Sequence, residues 1–157
     1  MTPVSPADLD RVPLFAGLPA DDLASLASAA SRRVLADGEA LFEQGQPAQN
    51  LYVVGRGSLV LRTGEGRSSV MVESLGPGDI VGWSAMREGA VTLSTGRASG
   101  GAEVLAIPVE GIIALVTGGT AGSRVLFQRI VGLAAGHLED AWGQLLQVGR
   151  EGVITGG

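Results

Sequence analysis

Glycines interrupt the middle of this chain at short intervals and leave no room there for long helices. They lie in six turn-like segments, which are Asp37-Gly38, Gly45-Gln-Pro47, Gly55-Arg-Gly57, Gly64-Glu-Gly66, Gly76-Pro-Gly78 and Gly100-Gly101. Between these segments stand short β-rich runs, which are Ala40–Glu43, Asn50–Val54, Ser58–Arg62, Ser69–Glu73, Asp79–Gly82, Leu93–Ala98 and Ala102–Ile107. Short strands at roughly 8–12-residue spacing with glycine turns are typical of a sandwich or barrel. We therefore expect a mainly β fold, a double-stranded β-helix (jelly roll), over residues 36–108.

The composition favours a folded chain with a single domain over residues 1–157. A length of 157 residues corresponds to about one domain at the usual ~150 residues each. Glycine supplies 25 residues, about 16% against an average near 7%, and tight turns explain the excess because glycine adopts positive φ without strain. Hydrophobic residues make up 45% of the chain and aromatic residues only 4%. We expect a core built from Leu, Val, Ile and Ala.

The charged and reactive residues exclude several classes of function. All 11 basic residues are arginine, and 16 acidic residues bring the net charge to −5, so the clustered positive charge that nucleic-acid binding requires is missing. Without cysteine, and with His137 as the single histidine, the chain cannot build disulfides, zinc–cysteine sites or multi-histidine metal sites. No secretory signal and no membrane-length apolar run is present. We expect a cytoplasmic protein with no metal, nucleic-acid or membrane partner.

Helical periodicity precedes the glycine-rich part. Residues 6–35 are predicted to form N-terminal helices, because Pro19 and two aspartates stand before an apolar series that begins at Leu23. Arg32 and Arg33 then occupy positions where the helix dipole favours cations. This pattern predicts helix up to the start of the β-rich part.

Helical periodicity returns after Pro108. Val109–Val116 is predicted to be a short apolar helix, and Ser123 can cap a longer helix that runs to about residue 148. The C-terminal helices therefore occupy residues 109–148. A frayed tail is expected over 149–157.

The long helix 123–148 carries more apolar surface than one covered face requires. Two adjacent stripes run along it, one made of Leu126, Ile130, Leu133 and His137 and the other of Phe127, Val131, Ala134, Leu138, Trp142 and Leu145. A helix that is apolar on more than one face is either deeply buried or covered by a second subunit. We expect a homodimer formed through this helix.

Over most of the chain, glycines recur next to pairs of apolar residues. It comprises Leu14-Phe-Ala-Gly-Leu18, Leu23, Leu26, Gly38-Glu-Ala-Leu-Phe42, Gln44-Gly45, Leu51-Tyr-Val-Val54, Gly57 and Leu75-Gly-Pro-Gly-Asp79 with Gly82. In this order the strings resemble the cyclic nucleotide-binding domain family, the sensor module of catabolite-activator-type bacterial regulators. The resemblance covers roughly residues 12–148 and implies a jelly roll between N-terminal helices and a long C-terminal helix. We expect no DNA-binding helix-turn-helix, because the chain ends about ten residues after that helix.

The resemblance also implies where a cyclic nucleotide would bind. In members that bind cyclic AMP or cyclic GMP, the glycine that corresponds to Gly82 is followed by a glutamate that holds the ribose hydroxyl. About ten residues later, an arginine neutralises the cyclic phosphate. Here Trp83 stands at the glutamate position, and Thr92, or Leu93 with a one-residue gap, stands at the arginine position. Because both charged anchors are missing, we expect weak cyclic AMP binding or none.

The candidate ligand-binding residues surround these two positions and include one residue of the long helix. They are Gly82, Trp83, Ser84, Ala85, Thr92, Leu93, Ser94 and His137. A helix N-terminus near Ser84 could offer backbone N–H groups to an anion, and Arg87 or Arg97 could supply positive charge. Trp83 either lines the pocket or fills it as core. His137 either reaches a ligand or packs on the apolar stripe.

Two functions remain open, neither of them catalytic. The first is a sensor or regulatory module with degenerate or altered specificity, which takes a nucleotide-like or other small ligand and signals through its C-terminal helix. The second is a ligand-free dimeric scaffold or adaptor, which fills the pocket with its own side chains and binds a protein partner. A cupin-type enzyme shares the glycine-punctuated strands, but one histidine does not supply its metal ligands.

Overall fold

The computed structural model describes the backbone of residues 2–155 and the side chains of residues 2–149. Within this part of the chain the strands are β1 Thr2–Pro3, β2 Ser31–Leu35, β3 Ala40–Phe42, β4 Asn50–Thr63, β5 Val70–Leu75, β6 Ile80–Val81 and β7 Thr95–Pro108. The helices are α1 Pro6–Asp10, α2 Ala20–Ala29, α3 Val109–Thr117 and α4 Ala121–Thr155, and short 3-10 helices cover Gly66–Ser68 and Trp83–Met86. The predicted fold class, a jelly-roll-like antiparallel sheet between N-terminal helices and a long C-terminal helix, is confirmed.

Strands β4 and β7, each 14 residues long, form the centre of the sheet. They pair antiparallel from Asn50 opposite Pro108 to Arg62 opposite Thr95. Each also pairs with shorter strands: β4 with β6 near its start and with β5 near its end, and β7 with β3 near its start and with β2 near its end. The two long strands therefore hold the roll together along its whole length.

The predicted turns at Gly55–Gly57 and Gly100–Gly101 are wrong, because both segments lie inside the long strands. The register between β4 and β7 shifts on both sides of Arg56–Gly57. Such bulges bend a strand and increase its twist without ending it. Four of the expected short strands are therefore two long, bent ones.

Residues 31–35 form strand β2, which corrects the predicted helical span 6–35. Helix α2 ends at Ala29, and β2 pairs antiparallel with β7. Arg32 in this strand forms ion pairs with Asp8, at 3.0 Å between Nη2 and Oδ2, and with Glu103 of β7. Hydrogen bonds from Ser5, and a further one from Arg32, lower the pKa of Asp8. Arg32 thus joins α1 to the sheet, a role that a local helix signal does not reveal.

Two clusters of buried apolar residues lie on opposite sides of β4, because side chains alternate along a strand. Leu51 and Val53 belong to the cluster that packs the sheet against the helices. Tyr52, between them, packs against the cluster inside the roll, which includes the fully buried Leu59 and Val104. The interior of the roll next to Tyr52 is where the candidate site lies.

Helix α4 extends beyond both predicted ends. It begins at Ala121, so the predicted cap Ser123 lies inside the first turn and is buried. It continues to Thr155, which corrects the expected tail over 149–157; positions 156–157 lie outside the described residues. Isolated glycines cost a helix only about 1 kcal/mol each relative to alanine and do not end it. In the described part of the chain, no helix combines the length and apolar character needed to cross a bilayer.

Candidate functional site

A cavity of about 710 Å³ lies between the interior of the roll and helix α4. Its walls come from the strands, from the segment around the 3-10 helix Trp83–Met86, and from α4. The strands contribute Leu41, Phe42, Tyr52 and Leu61, the segment contributes Gly82, Trp83, Ser84 and Met86, and α4 contributes Ile130, Ala134 and His137. The cavity is therefore bounded by the roll on one side and by the C-terminal helix on the other.

The predicted site residues come together at this cavity with one exception. Those that line it are Gly82, Trp83, Ser84, Thr92, Leu93, Ser94 and His137. Ala85 does not line it. That residue is buried, and its N–H donates to the carbonyl of Gly82 at 3.0 Å, which closes the short turn.

Gly82 turns the chain from β6 into the 3-10 helix. Its φ is +98°, a backbone conformation that side chains other than glycine rarely adopt. A Cβ at this position would lie 2.6 Å from the carbonyl oxygen of Asn50 on β4. The close approach of these two backbones requires glycine, and it places Trp83 at the cavity wall.

Trp83 lines the cavity and is partly buried, packed against the cluster between sheet and helices. Its ring centroid lies 5.9 Å from that of His137, and the two planes are inclined by 59°. The indole N–H is buried and has no hydrogen-bond partner in the described structure. Leaving a buried donor without a partner costs free energy. A ligand that places a hydrogen-bond acceptor next to this N–H would remove that cost and bind more tightly.

Thr92 is held by the protein itself. Its side chain is buried, and its hydroxyl donates to the carbonyl of Glu43. Its backbone N–H donates to the carbonyl of Gln46 at 2.8 Å. The neighbouring Leu93 is exposed, whereas Ser94 is partly buried. The position that the resemblance assigns to a phosphate-binding arginine is thus occupied by a neutral group already engaged in the loop.

Among the described residues, the cavity wall contains one arginine, Arg33, and one carboxylate, Glu73. The Nη1 atom of Arg33 donates to the carbonyl of Leu41 at 3.1 Å. Neither Arg87 nor Arg97, the two arginines considered from the sequence, lines this cavity. Arg97 donates instead to the carbonyl of Gly38 at 3.1 Å.

Several polar lining residues escaped the sequence analysis. They are Arg33, Gln46, Gln49, Asn50, Tyr52 and Glu73. The sequence could have indicated Asn50 and Tyr52, because side chains alternate between the two faces of a strand. These two residues lie on the face of β4 opposite the buried Leu51 and Val53. No comparable signal exists for Arg33, which reaches the cavity only because β2 is a strand.

The short helix offers no anion site of the kind considered from the sequence. Trp83–Met86 is one 3-10 turn of four residues, too short for a helix dipole of useful size. Within the described residues, no group of three or more His, Cys, Asp or Glu side chains is arranged to hold a metal ion. What the cavity offers an occupant is apolar wall, two pairs of neighbouring aromatic rings (Phe42 with Tyr52, and Trp83 with His137), neutral hydrogen-bonding groups and one charge of each sign.

A family model described as the cyclic nucleotide-binding domain matches residues 32–118, which is just over half of the chain. This span covers the sheet from β2 to β7 and the whole of α3. No curated protein matches the chain.

Solved structures show the same fold. The Catabolite Activator Protein of Thermus thermophilus is 27% identical with a TM-score of 0.72, over 87% of this chain and 63% of that one. The N-terminal domain of a transcriptional regulator from Streptomyces coelicolor is 27% identical with a TM-score of 0.67, over 85% of this chain and 94% of that one. A putative cyclic nucleotide-binding protein from Geobacter metallireducens is 23% identical with a TM-score of 0.71, over 86% and 98%. This chain thus spans less than two thirds of the length of the Thermus activator.

Proposed function

The chain belongs to the cyclic nucleotide-binding domain family, and from this membership we propose that it is a non-enzymatic regulatory module. It takes a small ligand into the cavity and reports the occupied state through α4. The cytoplasmic location expected from the sequence stays a prediction.

The observation that carries this proposal is that α4 forms part of the cavity wall. Ile130, Ala134 and His137 of α4 face the same space as Tyr52 of β4 and Trp83. A ligand shifts a conformational equilibrium only if it contacts the two states differently. An occupant that touches both the roll and the helix meets that condition, because any movement of α4 relative to the roll changes its contacts.

The ligand we propose differs in charge from a cyclic nucleotide. Trp83 and Thr92 occupy the positions of the two charged anchors, and the wall carries one charge of each sign, from Arg33 and Glu73. The unpaired indole N–H of Trp83, together with Asn50, offers neutral hydrogen bonds. We propose a small planar molecule with hydrogen-bond acceptors and no net negative charge.

Isothermal titration with cyclic AMP and cyclic GMP tests the altered specificity. Leaving a buried phosphate without its arginine typically costs ~2–5 kcal/mol, and loss of the ribose contact removes a further ~1.5–3 kcal/mol. A site that would bind with a Kd of about 1 μM, or −8.2 kcal/mol, then binds at millimolar or weaker. A Kd below roughly 10 μM for either nucleotide would contradict the proposed specificity.

The double variant Trp83→Glu with Thr92→Arg sharpens this test. Both positions line the cavity, so the variant restores both kinds of charged anchor, and we expect it to begin to recover cyclic AMP affinity. The matched control combines Trp83→Glu with Arg97→Lys, because Arg97 lies on another part of the surface. Equal affinities in the two double variants would show that position 92 does not meet the phosphate.

A ligand-free dimeric scaffold is the second candidate, and the burial of Trp83 favours it. The indole packs against the core and lines the cavity, at the sequence position that the resemblance assigns to the ribose-binding glutamate. The scaffold requires a cavity filled by the chain itself, whereas about 710 Å³ stays open. Screening the protein against a library of neutral heteroaromatic compounds by thermal shift distinguishes the two, since a scaffold gives no stabilisation.

We also propose that the module is a homodimer through helix 123–148. Large apolar side chains along this helix are exposed in the single chain; they include Phe127, Val131, Leu138, Trp142, Leu145 and Val148. Exposed apolar patches larger than a few hundred Å² mark interaction sites. We propose a second copy of this chain as the occupant, because two copies of the helix can cover each other's apolar stripes.

A further inference from the structure

Two charged side chains stand on the face of the sheet that lines the interior of the roll. Arg33 of β2 lies directly opposite Val104 of β7, and Glu73 of β5 lies directly opposite Leu61 of β4. Residues directly opposite each other on paired strands point to the same side of the sheet. Because Val104 and Leu61 belong to the cluster inside the roll, Arg33 and Glu73 occupy inward positions where apolar side chains are expected.

The protein neutralises neither of these charges. The Nη1 atom of Arg33 donates to the carbonyl of Leu41, a neutral acceptor, and this contact holds the guanidinium in place. Among the described residues, the carboxylate of Glu73 has no hydrogen-bond or ion-pair partner, and it forms no ion pair with Arg33 although both line one cavity. Arg33 is partly buried, whereas Glu73 is exposed, where the cavity meets solvent. The cavity therefore has room for one anionic and one cationic group of a ligand.

An aromatic surface lies beside the guanidinium. Phe42 follows Leu41 in the chain, and its ring stacks on that of Tyr52, with centroids 5.6 Å apart and planes inclined by 25°. Both rings line the cavity. A Cβ at Gly96 would lie 2.9 Å from Cζ of Phe42, so the glycine makes the space that this ring occupies. A flat ligand ring can pack against this aromatic pair.

We propose that the ligand is an aromatic zwitterion, a small molecule with a flat ring, a carboxylate that binds Arg33 and an ammonium group that binds Glu73. An aromatic amino acid has this chemistry. A guanidinium can hold a carboxylate through two parallel hydrogen bonds. The inference rests on the proposed function, because it specifies the ligand of the same cavity, and the two charges of a zwitterion sum to zero as that proposal requires.

Isothermal titration with a matched series of ligands tests the two charges separately. L-Tryptophan carries both charges, tryptamine carries only the ammonium group, and indolepropionate carries only the carboxylate. L-Phenylalanine and L-tyrosine are compared in the same way, each with its own amine and its own acid. We expect at least one of the three amino acids to bind with a Kd below about 1 mM. Its two analogues should bind at least about tenfold more weakly, because each lacks one charge-assisted contact.

Two variants assign each charge to its partner. Arg33→Gln should weaken binding of the amino acid and of the acid by about tenfold or more, and leave binding of the amine unchanged. Glu73→Gln should weaken binding of the amino acid and of the amine, and spare the acid. The ligand that each variant spares shows that its cavity is still folded. Arg87→Gln and Glu88→Gln are the controls, since both residues are exposed and neither lines this cavity.

The outcomes separate this inference from the proposed function. Equal affinities for an amino acid and its two analogues would overturn the inference. So would unchanged affinities in both variants, the result expected if inward charges on these strands serve only to prevent edge-to-edge association. If no amino acid binds but a neutral heteroaromatic compound stabilises the protein, the inference fails and the proposed function stands. If no compound of either kind binds, both fail.

Discussion

Two parts of helix α4 have similar apolar content and opposite surroundings. In the anchored segment, Ala121–Ile130, Leu126 is fully buried, and Gly122 lies so close to Asp22 of α2 that a Cβ would overlap its carboxylate. In the projecting segment, 131–149, Leu138 is 70% exposed. The difference teaches that one continuous helix packs on its own chain at its start and leaves large apolar side chains exposed further along.

The anchored segment is also held by polar contacts. The Oγ of Ser123 accepts the N–H of Thr120 at 2.9 Å and donates to the carbonyl of Leu115 at the end of α3. The Nη1 of Arg129 lies within hydrogen-bond distance of the carbonyls of Pro13, Leu14 and Ala16, at 3.3, 3.2 and 2.6 Å. These contacts fix where α4 starts and in which direction it leaves the domain.

The largest expected effect comes from shortening the buried side chain of Leu126 in the anchored segment. Leu126→Ala should lower the free energy of unfolding by about 2–5 kcal/mol, because it leaves a cavity in the core. The matched change Leu145→Ala, in the projecting segment, should leave the stability of the single chain nearly unchanged. Urea denaturation at a concentration that keeps the chains monomeric measures both. Equal losses for the two variants would abolish the distinction between the segments.

The next largest expected effect is a loss of association between two copies of the chain. Leu138→Glu should convert the proposed dimer to monomers, weakening association by about 100-fold or more, because a charge within the apolar stripe loses its hydration when the helices pair. Folding should be unaffected, since Leu138 is mostly exposed in the single chain. Sedimentation velocity at micromolar concentration measures the change. Glu139→Gln, one residue along and outside both apolar stripes, is the control and should stay dimeric; loss of the dimer there would point to a different interface.

The smallest expected effect is the loss of stability when the hydrogen bonds of Arg129 in the anchored segment are removed. Arg129→Met keeps the length of the side chain and removes its hydrogen bonds to the three carbonyls, and we expect it to destabilise the protein by about 1–3 kcal/mol. The exposed Arg124→Met in the same helix serves as control and should be within about 0.5 kcal/mol of the wild type. Thermal unfolding followed by circular dichroism gives the values. A wild-type melting curve for Arg129→Met would mean that Leu126 and its neighbours anchor α4 without help.

The candidate site was accessible from the sequence only in part. The resemblance identified Gly82, Trp83 and Thr92 by their place after the Gly-Pro-Gly turn, and His137 by its place on the long helix, and all four line the cavity. It gave no indication of Arg33, because residues 31–35 carry a pattern that local rules assign to the end of a helix. The pairing of β2 with β7 overrides that preference, since long-range pairing contributes more than the weak local propensity.

The sequence by itself determined the class of fold, the missing charged anchors and the two apolar stripes of α4. These properties depend on residue type and short-range spacing, which are present in the chain before it folds. The tertiary structure decided which glycines bend strands and which end them, whether space remains beside Trp83, and which part of α4 its own domain covers. Those outcomes depend on contacts between residues far apart in the chain, such as β4 with β7 and Leu126 with the helical core, and no local pattern specifies them.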